Sequence, residues 1–432
     1  MRALYPHPAA RGVRYTDNAW GGLYIVSGRL AMPQVGIWQN IVPRFCCIPP
    51  KLLLPGTLSR VSFTLMRTIR CLILSALFSV AGAMNCAAIE ITRYVSPDGT
   101  GNGLSADTPT SDLGAVLKSS VQVDHLTVYA APGYYHISPN DVAYSNVTFY
   151  GGCPNDSIDT HRLTVIDGYY GGFSNSGIYQ VKFNKNLGLA GNCIAELCTI
   201  YGRVGIGARN SGDKIIMEHC EMNEIWAEGQ ERTLLYLHNC NVDGSKGYGL
   251  EAKNIRVVAT KVKFNNHKIA GVNLDTGIAG IGSEFNYCTF NNNKREGGVI
   301  TRAITDNIAV TFRNCEFIGN SSEQYNKASA LSAFCPIEAY NCVFKDNTTA
   351  LKSHPGEYHE SAVVDLSPRS HFRNCTFVDN KNSAFSYQVY PGDVDPGYAQ
   401  LESCLLLDNG KDIRTPHGAA PRMVKCAISN GT

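Results

Sequence analysis

Charge is scarce in this chain of 432 residues. Only 17% of its residues are charged, against a usual quarter, and 38 basic and 36 acidic side chains leave a net charge of +2. With no surplus of either sign, neither nucleic acid nor a strongly acidic partner is expected, and a hydrophobic content of 44% excludes general disorder. There is no Cys-x-x-Cys pair or Cys/His cluster with zinc spacing, so no structural metal is expected. The apolar run from Cys71 to Ala83 is too short for a membrane span. No 3.6-residue periodicity runs through the body of the chain, which excludes helical repeats.

What the chain does have is a ladder of cysteines. Cys220, Cys240, Cys288, Cys315, Cys342, Cys375, Cys404 and Cys426 each open a segment of one design, clearest in Asn-Cys-Glu-Phe-Ile-Gly-Asn at 314–320 and Asn-Cys-Val-Phe-Lys-Asp-Asn at 341–347. If Val is allowed at the Cys position, Val147, Val165, Val181, Cys198 and Val262 continue the series at spacings of 16 to 33 residues. Cys (or Val) and the Phe two residues later point one way along a strand, with a water-suited residue between them. Such a unit cannot bury its apolar face alone, so copies must stack. The pattern predicts an all-β fold, a right-handed parallel β-helix of about thirteen coils, some 60 Å long at about 4.8 Å per coil.

Asn293, Asn320, Asn347, Asn380 and Asn409 fall where each strand must turn a corner, a left-handed position that Asn tolerates better than any other non-glycine residue, and their amides can hydrogen-bond along the stack. The ladder thiols are expected to be buried and reduced. Equivalent Cβ atoms on neighbouring coils lie about 4.8 Å apart, wider than a disulfide wants, and Val replaces Cys in several coils. Cys153, Cys193, Cys198 and Cys335 are expected off the ladder and are the cysteines expected to pair if any do.

Four regions follow. Residues 1–65 lack periodicity and read as a disordered leader or a start assigned too far upstream. Residues 66–88 open Met-Arg-Thr-Ile-Arg, continue apolar and reach Ala81-Gly82-Ala83, which reads as a signal peptide. Residues 89–140 form an N-terminal cap, with a short helix after Ser111-Asp112 presenting Leu113, Val116 and Leu117 to the solenoid mouth. Residues 141–432 form the β-helix. Ser429 to Thr432 bring no apolar cap after Cys426, which reads as a coil cut short.

Tyr94-Val-Ser-Pro-Asp-Gly-Thr-Gly-Asn-Gly103, followed by Val128-Tyr-Ala-Ala-Pro-Gly-Tyr-Tyr135, resembles the N-terminal module of bacterial right-handed parallel β-helix proteins of the pectin-lyase-like superfamily. The Cys-x-Phe-x-x-Asn units resemble the repeats of polymorphic outer-membrane proteins. The resemblance covers about 91–432 and implies the fold and a secreted or bacterial cell-surface location. It does not imply one activity, since that superfamily spans lyases, glycosidases, adhesins and passenger domains.

Chemistry-bearing residues gather where the coils are longest. Insertions at one point of successive coils stack into a rim, and this rim carries Lys294, Arg302, His354 and His359 as candidate catalytic groups. Arg295, Tyr325, Lys327, Tyr358, Tyr387 and Tyr390 are the candidate substrate contacts. Basic groups interleaved with tyrosines suit an acidic sugar. Two readings stay open. One is a monomeric, non-catalytic glycan-binding or adhesin-like rod without cofactor. The other is a polysaccharide lyase acting on uronates by β-elimination, for which Ca²⁺ could neutralise the carboxylate.

Overall fold

The computed structural model describes residues 88–137, 144–152, 163–168, 171–208, 210–230, 232–275, 282–302, 309–323, 328–349, 362–367, 369–381, 383–387, 399–414 and 421–429. The expected leader, 1–65, and nearly all of the expected signal peptide lie outside them. Among the described residues no helix is long and apolar enough to cross a membrane.

The chain coils through three parallel ladders. Sheet I has 14 strands, from Glu90–Val95 to Arg422–Val424. Sheet II carries the cysteine-led strands, such as Glu316–Ile318, Val343–Lys345 and Thr376–Val378. Sheet III follows the next corner, with strands such as Gly172–Ser174, Leu187–Ala190 and Gly297–Arg302. In two coils sheets II and III run as one strand, Thr199–Gly207 and Glu221–Glu228, with the register shifting between Ile200 and Arg203. Strand pairs join residues of successive coils in parallel, as Phe290 to Phe317, Phe317 to Phe344 and Phe344 to Phe377. The chain is therefore a parallel β-helix, and a right-handed coil is what twisted L-residue strands favour.

Stacking explains the repeat. The phenylalanines pile face to face inside, with ring centres 4.7 Å apart for Phe290–Phe317, 4.6 Å for Phe317–Phe344 and 4.5 Å for Phe344–Phe377. Beside them runs the thiol column. The Cys315 Sγ–H lies 3.3 Å from the Phe285 carbonyl of the coil below and 3.4 Å from that of Arg313. Each thiol thus donates to carbonyls within the buried core. Burial pushes the Cys315 and Cys375 thiols up, so they stay protonated and inert.

The residue before each ladder cysteine turns the corner with a left-handed backbone, as at Asn239, Asn314, Asn341 and Asn374 (φ 49 to 55°). The second corner corrects the sequence reading. The left-handed residue there is Asn292, Gly319, Asp346, Asp379 or Asp408, one position before the recurring Asn of the motif. That turn swings the following amide inward, where Asn293, Asn320, Asn347, Asn380 and Asn409 are buried. Asn320 Nδ2 donates to Asn347 Oδ1 (3.0 Å), and Asn347 Nδ2 to Asn380 Oδ1 (3.1 Å). His267 heads the row, its own N–H donating to Asn293 Oδ1 at 3.1 Å.

Further corrections concern the ladder's members. Val147 pairs with Leu126 in sheet I, and Thr164, not Val165, is in register with Val181. Both sheets use the same apolar–polar–apolar triplet, so spacing alone assigned the wrong one. Cys193, Cys198 and Cys335 are buried and in no disulfide. Cys198 stands on the ladder itself, and Cys193 faces the core from sheet I in register with Ile215. Cys153 lies outside the described residues. The helix Leu113–Lys118 is capped by Asp112, whose side chain accepts from the Ala115 N–H, and it buries Leu113, Val116 and Leu117 in the common core. It falls between two strands, Glu90–Val95 and His125–Ala130, that already pair in sheet I.

Candidate functional site: a glycine-floored groove

Among the described residues, three short coils leave the outer face of sheet III bare. Gly172, Gly188 and Gly205 sit in register on successive rungs. Their strand neighbours Phe173, Leu189 and Ile206 face the core, so the glycines face out. A Cβ at Gly205 or Gly207 would meet nothing within 4 Å, so open space lies above them. At Gly188 a Cβ would come within 2.9 Å of the Gly172 Cα, so that position needs glycine.

The floor has three borders. Trp226 is the next residue of the glycine column and stands half-buried at its end. Asn186 and Arg203 rise along one flank, where Asn186 Oδ1 accepts the Arg203 backbone N–H at 2.9 Å. The other flank is low, formed by Ser145, Ser174, Ala190 and Gly207. The groove encloses about 620 Å³. Arg203 is the single charged residue lining it among the described residues, and its Nε donates to Glu224 Oε1 at 2.7 Å. This pair fixes the guanidinium and leaves its two terminal nitrogens to a ligand. A flat floor, an indole, an amide, two hydroxyls and a held guanidinium can take a sugar, with ring faces on Trp226 and hydroxyls or a carboxylate on the polar flank.

The sequence-predicted residues lie elsewhere. Lys294 and Arg295 are exposed on the turn into strand Gly297–Arg302, and Arg295 is itself left-handed (φ 67°). Between them and Arg302 runs that six-residue strand, roughly 17 Å of backbone. Arg302 lies over the Phe334 ring, 5.9 Å from its centre. Glu296 tucks under, its Oε2 accepting from the Tyr248 hydroxyl at 3.4 Å. The structure therefore does not bring Lys294 and Arg302 together, and neither lines the groove. Tyr325, Lys327, His354, Tyr358, His359 and Tyr390 lie outside the described residues, as does the side chain of Tyr387.

Two clusters occupy the outer face of sheet I. Glu196, Glu218 and His219 each offer a ligand atom within 4.8 Å of the others and could hold a cation. Farther along, Arg313, Tyr340, Arg373 and Glu402 occupy one column on successive rungs. The Arg313 guanidinium lies 4.7 Å from the Tyr340 ring centre. Arg373 donates to Glu402 Oε2 through Nε (2.9 Å) and Nη2 (2.8 Å), and His371 Nε2 stands 3.6 Å from the same oxygen. Burial and the neighbouring Glu338 push the Tyr340 hydroxyl up.

No family model matches the sequence, and no curated protein matches it. Among solved structures, the A-module of the Azotobacter vinelandii mannuronan C-5 epimerase AlgE4 is similar at 13% identity and a TM-score of 0.49, covering 78% of this chain and 100% of that one. The A-module of the A. vinelandii epimerase AlgE6 follows at 11% and 0.44, covering 74% and 95%. The pectate lyase Pel9A is similar at 13% and 0.32, covering 78% and 79%. By the order, direction and register of its own strands, the chain is a parallel β-helix.

Proposed function

We propose that this protein is a secreted or cell-surface glycan-binding rod, and that it binds polysaccharide without cleaving it. The observation that carries the reading is the groove: three bare glycine rungs ending on Trp226, with Arg203 as the one charge. Among the described residues the lining holds no carboxylate and no imidazole, so what they offer is binding contacts rather than an acid–base pair. The leader-like stretch at 66–88 supports export. The test is retention of the chain on immobilised polygalacturonate and alginate. Trp226→Ala and Arg203→Ala should each weaken binding about tenfold, some 1.4 kcal/mol, and the arginine's share should vanish in high salt. Equal retention of wild type and both variants would reject the groove as the binding site.

A second reading, uronate β-elimination, is favoured by the gathering of Arg313, Tyr340, His371 and Arg373. Two guanidiniums could hold a carboxylate there, but a tyrosine pushed up stays protonated at neutral pH and is a poor base. Unsaturated uronate forming with wild type and lost in His371→Ala or Arg373→Ala would establish it. Loss in Lys294→Ala or Arg302→Ala would instead place the chemistry on the long-coil rim.

A further inference from the structure

The groove has a closed end. Following its outward column along the stack, Gly172, Gly188 and Gly205 give way to Trp226, then Glu251, Asn273 and Ile300. The bare floor therefore spans three rungs, roughly 10 Å from the first glycine to the last. Past Trp226 the column never opens again among the described residues. Glu251 is ion-paired with Lys253 at 3.4 Å, Asn273 is 6% exposed, and Ile300 and Ser332 are fully buried although they face outward. Asn186 and Arg203 close one flank as well. A volume of about 620 Å³ suits a ligand of a few rings and is small for a polymer lying lengthwise.

We infer that the groove reads the end of a glycan chain, with the terminal sugar against the Trp226 indole and the chain leaving over the low Ser174–Gly207 flank or the Gly172 end. This rests on the glycan-binding reading and goes beyond it, because the number of chain ends, not the mass of polymer, then sets occupancy. A straight chain held by its interior must continue both ways along one axis; Trp226 blocks one way along the stack and the Arg203 flank one way along the strands, so on either axis the chain ends here. Residues of the sugar that meet the wall are stacked and desolvated, whereas those beyond the flank stay in water and add little.

The experiment compares one polyuronate, polygalacturonate, at two mean lengths differing about tenfold, obtained by partial acid hydrolysis and matched by mass. The whole chain is titrated with each. End recognition predicts that the mass-based affinity for the short preparation is about tenfold higher, while affinity per chain end is unchanged. Interior binding predicts equal mass-based affinity, which would overturn the inference and leave glycan binding standing. Binding to neither preparation would overturn both.

Two variants place the effect. Trp226→Gly extends the glycine floor by a rung, and the tenfold dependence on length should disappear; if it persists, Trp226 is not the end wall and the inference falls. Gly205→Leu puts a side chain into open space without backbone strain, and it should abolish binding of both preparations while leaving the circular dichroism spectrum unchanged. Undiminished binding by this folded variant would also overturn the inference.

Discussion

Replacing His267 with Asn should abolish a specific acid sensitivity of the fold. His267 is fully buried at the head of the asparagine row. Its Nε2 lies 3.0 Å from the Val242 carbonyl, which only accepts, so Nε2 carries the proton. Its Nδ1 faces the Ser245 backbone N–H at 3.2 Å and must be bare. A second proton would oppose that N–H, leaving Nδ1–H to turn to the Ser245 Oγ, 2.9 Å away, and it would place a charge in a fully buried site. Burial lowers the imidazole from 6.5 to about 4, with the hydrogen bond to the Val242 carbonyl and then the Asp243 charge pulling the other way. Between these values the unfolded chain binds a proton that the folded chain refuses. The stability from the neutral ring is complete above pH 6.5 and is lost as pH falls towards 4. At about 1.4 kcal/mol per unit over some 2.5 units, about 3 kcal/mol is at stake. Asn is the control because the next rung already uses it: Asn293 Nδ2 donates to Phe264 O as Nε2 of His267 does to Val242 O, and Val242 and Phe264 are in register. Hydrogen exchange of peptides spanning 240–295, followed from pH 7 to pH 4, reads the local opening energy. The wild type should lose about 3 kcal/mol more than His267→Asn. Parallel pH profiles would refute the buried neutral imidazole.

Other consequences can be checked alongside. Asn320→Ala strands the Asn293 backbone N–H, one Asn293 side-chain N–H and the Phe290 carbonyl, so at about 1 kcal/mol or more per buried group the local stability should fall by at least about 3 kcal/mol, read by exchange at 285–294; a smaller loss would show that the row is ornamental. Cys315→Val should cost less than about 1.5 kcal/mol, and Cys315→Asp should open several coils; denaturation with equal midpoints for the two would contradict a sealed thiol column. Phe344→Ala, removing a ring stacked on both sides, should cost about 3 to 5 kcal/mol in the same assay. Thiol titration in denaturant without reductant should find Cys193 and Cys198 as thiols together with the ladder.

Much of the fold is legible in the chain because one strong constraint repeats. Cys-x-Phe places two apolar groups on one face of a strand, and the repetition compels stacking. What is less legible is which sheet a given triplet belongs to. Val147-Thr-Phe in sheet I and Val181-Lys-Phe in sheet II have the same alternation, and a period of two carries no sheet label. The corner has a similar ambiguity. Asn292 and Asn293 are adjacent and both suit a tight turn, yet one supplies the left-handed backbone and the other the buried amide. His267 in the amide's place could not be foreseen from propensity, since only the neighbouring rungs' donors and acceptors show that an imidazole fits.

The groove escaped the sequence reading for a different reason: it is built from side chains that are absent. Reasoning from reactive residues leads to the long coils, where Lys294, Arg295 and Arg302 crowd the sequence, but insertions fall at corners and the strand between keeps them apart. Glycines at 172, 188 and 205 recur 16 and 17 residues apart, the shortest spacing in the array, and that was the available signal. The two facts are linked. A coil of 16 or 17 residues has nothing left over to lay across sheet III, so its outer face stays open. Coils of 26 to 33 residues have such length, and there the outward Asn273, Ile300 and Ser332 are buried. In a solenoid of fixed cross-section, coil length decides where the surface is bare, and a ligand needs the bare part as much as it needs a charge.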